Sequence, residues 1–172
     1  MITTVDIPET VTLDDYAAYA YLAHAVLELR QEAATLLPGL RKRTVWMLNS
    51  TAQGGGVAEM LPKLVNMMRD LGLRTEWIVM GTPESGFFPL TKRIHNLIHG
   101  LGKRGFSETE KALFEKVSEE VAAELEKHIG PEDILVVHDP QPIGAGAILK
   151  RRKAIHTIWR CHIGLDRITP ET

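Results

Sequence analysis

The sequence has one cysteine, Cys161, in 172 residues. A lone cysteine excludes a disulfide framework and any metal site built from several thiolates. No uninterrupted apolar run approaches the roughly 18 residues of a membrane span, so no transmembrane helix is expected. Neither sign of charge dominates, because 20 Lys and Arg against 22 Asp and Glu leave a net charge of -2. A chain so balanced carries no general electrostatic footprint for nucleic acid or for an acidic membrane. The opening Met1-Ile-Thr-Thr-Val-Asp-Ile-Pro8 has neither the basic region nor the apolar core of a secretory signal. Internal repeats and low-complexity tails are lacking too. These absences point to a soluble, reduced, cytoplasmic protein with no nucleic acid and no membrane among its partners.

What is present is the composition of an ordinary globular domain, 44% hydrophobic and 24% charged. The length suits one domain with its own core. Thr12 and Asp15 form a capping-box pattern that opens a helix, and Leu37-Pro38-Gly39 closes it. Leu13, Ala17, Ala20, Tyr21, His24, Leu27 and the Ala33-Ala34 pair give that helix a broad stripe expected to be buried. Thr44 to Leu48 reads as a first strand. Val57, Met60, Leu61, Leu64, Val65, Met68 and Leu71 then recur at helical spacing up to Gly72. Pro62 predicts a kinked first turn there, or a regular helix starting near Leu61.

Thr75 to Met80 reads as a second strand, and a short helix is expected from Leu90 to His99 within an otherwise irregular stretch, 81–106. Ser107 and Glu110 open another helix, whose apolar face runs from Leu113 to Ile129 before Gly130-Pro131. Ile134 to Val137 is a continuous apolar run, the mark of a strand covered on both faces. Lys150 to Lys153 reads as a solvated helix end, and Ala154 to Trp159 as a fourth strand. Strands alternating with helices predict an α/β fold, a single Rossmann-like parallel sheet with helices on both faces. Ligands of such sheets bind beyond the carboxyl ends of the strands.

Three segments follow those ends and should converge. After the first strand comes Asn49-Ser-Thr-Ala-Gln-Gly-Gly-Gly56, feeding a helix whose free N–H groups and positive dipole end suit a phosphate. It is not a Walker A loop, since no Lys-Ser/Thr follows, and Glu59 stands where a dinucleotide fingerprint has its last glycine. One glycine would mean a tight turn; Gly54, Gly55 and Gly56 together predict an anion or sugar site. After the third strand, His138-Asp139 pairs a base with a carboxylate beside two prolines. Asp139 can bond a sugar hydroxyl, orient a histidine, or make an Asx turn onto Pro140. After the fourth, His162 alone would read as a satisfied core histidine, and Arg160 beside it points to an anion-facing strand end. His95 and His99 have zinc-like spacing, but neither an HExxH glutamate nor a third ligand accompanies them, so no metal is expected.

These motifs, in order, resemble a known family. The matching residues are Asn49-Ser-Thr…Gly54-Gly-Gly-Val-Ala-Glu59, Leu61-Pro62, Met68-Arg-Asp-Leu-Gly72, Glu76-Trp77 and Phe87-Phe88, then Thr91-Lys92-x-x-His95-Asn96, His138-Asp-Pro-Gln-Pro142 and Trp159-Arg-Cys-His-Ile163. They are similar to the N-terminal domain of glycosyltransferring trehalose synthases. Those are retaining, two-Rossmann (GT-B) glycosyltransferases of family 4, a group that also holds retaining trehalose phosphorylases.

The resemblance implies transfer of glucose from a nucleotide sugar, UDP- or ADP-glucose, to a sugar acceptor, with no other cofactor. Glucose, glucose phosphate and fructose phosphate stay open as acceptors. It implies that Gly54, Gly55 and Gly56 face the donor phosphates, that Asp139 holds acceptor hydroxyls, and that His162 is the catalytic residue touching the donor sugar. His138, Gln141, Lys92, Asn96 and Arg160 are implied as substrate-binding.

The family's Glu-x7-Glu motif belongs to a second domain. Here Glu124 and Glu132 share that spacing across the break at Gly130-Pro131, and Glu76 and Glu84 straddle a strand end. Residues 1–172 are therefore expected to be the acceptor-side half of a GT-B fold, inactive alone, with a separate donor domain or self-association as its partner. The competing readings are a stand-alone sugar- or phosphate-binding module, half of a trehalose phosphorylase, or another phosphate-binding α/β enzyme.

Overall fold

Four strands run parallel. They are β2 (Thr44–Asn49), β3 (Arg74–Met80), β4 (Ile134–His138) and β5 (His156–Arg160), joined by a short antiparallel edge strand, β1 (Ile2–Thr4). The computed structural model describes residues 1–8 and 11–164. Strand order is β1-β3-β2-β4-β5. From β2 the chain first steps outward to β3, then returns to β4 on the other flank. The ends of β2 and β4 therefore form a topological switch point, where the following loops diverge and leave a crevice. Register aligns those ends, with Leu48 opposite Val137 and His138 opposite Arg160.

Helices cover both faces. On one face α4 (Phe87–Ile98), α5 (Glu108–Leu125) and α6 (Ile143–Lys153) pack Phe87, Val117, Val121, Leu125 and Leu149 against Leu48, Ile78, Leu135 and Val137. On the other, α3 (Gly56–Asp70) sets Leu61 and Val65 against Val45, Met47 and Trp77. Alternation along β2 splits Val45 and Met47 from Leu48 in this way, as the pleat requires.

Several boundaries differ from the sequence expectation. The first helix is two, α1 (Leu13–Ala17) and α2 (Ala20–Leu36), broken where Tyr19 takes an extended backbone. The inward stripe of α2 is Leu22, Val26, Leu29 and Ala33, while Tyr21 and Leu27 are 80% and 53% exposed and His24 pairs with Glu28 on the surface. Apolar residues lie almost all round this helix, so spacing alone does not choose its buried side.

Helix α3 starts at Gly56 and runs through Pro62. The helical φ that proline imposes is satisfied there, at the cost of the bond to the Ala58 carbonyl and of the ring's crowding against that carbonyl. Helix α4 begins three residues earlier than the periodicity marks. Helix α5 ends at Leu125, yet Ile129 remains 1% exposed, so the apolar face reports burial beyond the helix itself. Ala154 adopts a left-handed conformation (φ 52°) and caps α6, which delays β5 to His156. In the basic last turn of α6, Lys150 to Arg152 are exposed as expected, whereas Lys153 reaches the Glu126 and Ile129 carbonyls beyond α5. No described helix is long and apolar enough to cross a membrane.

Candidate functional site

The crevice at the switch point is a cleft of about 470 Å³ lined by loop residues after β2, the first turn of α3, Lys92 and His95 of α4, His138, Asp139, Gln141 and His162. The three segments singled out at the strand ends do converge. A second hollow, of about 610 Å³, lies at the opposite edge around Thr44, Arg69 and Arg74. Its cations are engaged, Arg69 by the Thr75 carbonyl and Glu76, Arg74 by the Lys42 carbonyl. Glu76 balances the charge of Arg69, while Arg74 stays exposed with its charge uncompensated by a carboxylate among the described contacts.

The β2 loop is built on Asn49, which is 4% exposed. Its Oδ1 accepts Trp77 Nε1–H at 2.8 Å and its Nδ2 donates to the Thr51 carbonyl at 2.7 Å. Thr51 Oγ1 then donates to the Gln53 carbonyl and accepts the Gln53 N–H. The core tryptophan thus holds the loop that reaches the cleft. Gly54 and Gly55 have φ of 73° and 92°, angles that only glycine adopts without strain. Gly56 has ordinary helical φ and begins α3. No side chain caps that helix, and its first internal bond runs from Glu59 N–H to the Gly55 carbonyl. The amides of Gly56, Val57 and Ala58 are left as donors at the positive end of the dipole.

Asp139 leaves β4 with φ 64°, a left-handed turn that Asp tolerates better than most residues. Three bonds hold it. Its N–H donates to the Arg160 carbonyl, its carbonyl accepts Trp159 Nε1–H, and its Oδ1 accepts the His162 N–H at 2.8 Å. Asp139 thereby ties the end of β4 to the segment after β5. His138 is 1% exposed and meets His162 ring to ring, Nδ1 to Nε2 at 2.9 Å. Burial first, then His162 and Arg160, push the His138 imidazole down to about 4 against the opposing pull of Asp139, so it is neutral near pH 7. His95 is also held below the ordinary value, by burial and then by Lys92. Gln141 Oε1 and His138 Nε2 are buried without a hydrogen-bond partner.

Of the residues singled out beforehand, Gly54, Gly55, Gly56, Lys92, His138, Asp139, Gln141 and His162 line this one cleft. Asn96 and Arg160 do not. Their carbonyls accept the Leu101 and Asp139 N–H groups, and the Arg160 side chain is exposed. His95 does line it; the sequence marks it as a match to the family motif and as half of a zinc-like pair, without assigning it to the cleft. Its position three residues after Lys92 on α4 was the available signal, since residues i and i+3 share a helix face. No group of three or more metal-ligating side chains occurs among the described residues. The cleft offers amide donors and one ammonium for an anion, and a carboxylate, an amide oxygen and imidazoles for hydroxyl groups.

Comparison with known proteins gives a consistent result. Residues 47–172 match the family model described as "Trehalose synthase, N-terminal domain". The chain is 38% identical over 148 residues to trehalose synthase of Rubrobacter xylanophilus, covering 83% of this chain and 34% of that protein. It is 38% identical over 136 residues to trehalose synthase of Pyrococcus horikoshii, covering 79% of this chain and 31% of that protein. Trehalose phosphorylase of Pleurotus pulmonarius is 27% identical over 148 residues, 81% of this chain and 19% of that protein. The chain thus spans about a third of the length of the trehalose synthases it matches.

Proposed function

This chain belongs to the family of trehalose synthase N-terminal domains, and from that premise we propose that its cleft is the acceptor side of a retaining glucosyl-transfer site. The observation that carries the reading is the meeting of an uncapped helix N-terminus, Lys92, Asp139, Gln141 and His162 in one crevice at the switch point. Asp139 and Gln141 accept hydrogen bonds from acceptor hydroxyls. The amides at the start of α3, with Lys92 beside them, stabilise charge on the departing diphosphate of UDP- or ADP-glucose, a task suited to preorganised backbone donors. His162 contacts the donor sugar. A nucleotide-binding domain outside residues 1–172 supplies the donor and completes the cleft. Exposed Ile158 and Trp159 on the edge strand β5 support a covering partner, either that domain or a second copy. The similarity to trehalose phosphorylases supports a second reading, in which inorganic phosphate occupies the place of the donor diphosphate.

An open cleft buries less of a sugar than the 70–90% or so typical of closed sites. Affinity for glucose should be no better than about millimolar, near about -4 kcal/mol. Donor positioning, which can contribute roughly 7–11 kcal/mol to lowering a barrier, is absent in the isolated chain, so it should transfer nothing. Titration calorimetry with glucose on wild type and Asp139→Ala, beside a transfer assay with UDP- and ADP-glucose, checks both statements. Steady turnover by the 172-residue chain contradicts the claim that it is half a site. Unchanged affinity in Asp139→Ala contradicts the role of that carboxylate.

A further inference from the structure

The contact between His138 and His162 decides which edge of His162 faces the cleft. Their ring planes are within 16° of parallel and the centroids are 5.2 Å apart. One ring radius on each side added to the 2.9 Å separation of Nδ1 and Nε2 accounts for that whole distance. The rings therefore lie edge to edge in one plane, the geometry an N–H···N bond needs, rather than face to face. In a neutral imidazole one nitrogen donates and the other accepts, so one proton is shared along this contact.

The nitrogen outside the contact places the proton. His138 Nε2 is buried and has no partner. A buried N–H without an acceptor is rarer than a buried acceptor left bare, and both cost a hydrogen bond. The proton of His138 then sits on Nδ1 and is donated to Nε2 of His162. His162 must carry its own proton on Nδ1, its only ring nitrogen left for the cleft. Its main chain is fixed as well, through the bond from its N–H to Asp139 Oδ1.

We propose that His138 is a positioning residue that locks His162 in the Nδ1–H tautomer and makes it a hydrogen-bond donor toward the ligand. On the reading of the cleft as a sugar-transfer site, His162 then recognises an oxygen acceptor, a sugar hydroxyl or a phosphoryl oxygen. Held this way, it does not act as a base. The consequence rests on that reading; the tautomer does not.

The test is side-chain ¹⁵N–¹H correlation NMR of the full chain near neutral pH, without ligand. The expected spectrum has a pyrrole-type Nδ1 and a pyridine-type Nε2 for His162, the reverse of the preference of a free histidine in water. His138→Phe keeps the ring shape without the donor, so the two resonance types should exchange. His138→Asn sets an amide N–H close to the place of Nδ1 and should restore the original pattern. A purely structural role would lower stability in both variants and leave the tautomer unchanged. An Nε2–H tautomer in the wild type overturns the proposal, and that spectrum decides the matter even where His138→Phe does not fold. Adding ADP-glucose separates the two readings: a locked tautomer with no shift at His162 contradicts the sugar site alone.

Discussion

Gly56 separates two explanations of a glycine-rich turn. Gly54 and Gly55 sit at positive φ, where a side chain is strained, so the backbone alone favours glycine at both. Gly56 has no such need, and a Cβ built on it meets nothing within 4 Å. Gly56→Ala should therefore stabilise the fold by about 0.4–1 kcal/mol, through a less disordered unfolded chain. If the donor diphosphate lies against the bare backbone there, the same change should weaken ADP-glucose binding about tenfold, or about 1.4 kcal/mol. Urea unfolding and calorimetry read the two effects separately, and tighter folding with unchanged binding would reduce the third glycine to a turn residue. The glycine loop, Asp139 and His162 were legible in the sequence because each directly follows a strand. His95 and the burial of His138 were not. The first depends on how α4 turns about its axis and the second on what packs over the end of β4, which no local pattern records.

Among the elements, the strands were the most legible, since runs such as Ile134–Val137 carry both their length and their two-sided burial. The side of α2 that faces inward was not legible, because its apolar residues leave no polar face to contrast with. Nor was the close approach of α5 and α6. A Cβ at Gly144 would lie 2.8 Å from the Phe114 ring and 2.9 Å from Ser118 Cβ, a crowding that appears only once both helices share one face of the sheet. Gly144→Ala should cost about 1–3 kcal/mol by overpacking that crossing. Gly39→Ala, with open space around it and no positive φ, is the control and should be no less stable than wild type, gaining about 0.4–1 kcal/mol as Gly56→Ala does. Equal midpoints for Gly144→Ala and wild type in urea would mean that the helices do not cross there.

At the scale of the whole molecule, strand order places the chemistry. The reversal between β2 and β4 opens the crevice, and the register of β4 with β5 brings His138 and the segment carrying His162 to its rim. The alternation of strands and helices announced a parallel sheet, but not its order, because either flank of β2 satisfies the same pattern. The edge strand β1 was missed for a similar reason: three residues, Ile2–Thr4, are too few to show a period. The central claim is that a sugar enters at this switch point and nowhere else on the chain. Backbone amide NMR during titrations with glucose and with ADP-glucose tests it most directly. The predicted shifts fall on Gly54 to Ala58, Lys92 to His95, His138 to Gln141 and His162. Shifts confined to the opposite edge around Thr44 and Arg74, or no shifts at several times the millimolar range, would contradict it.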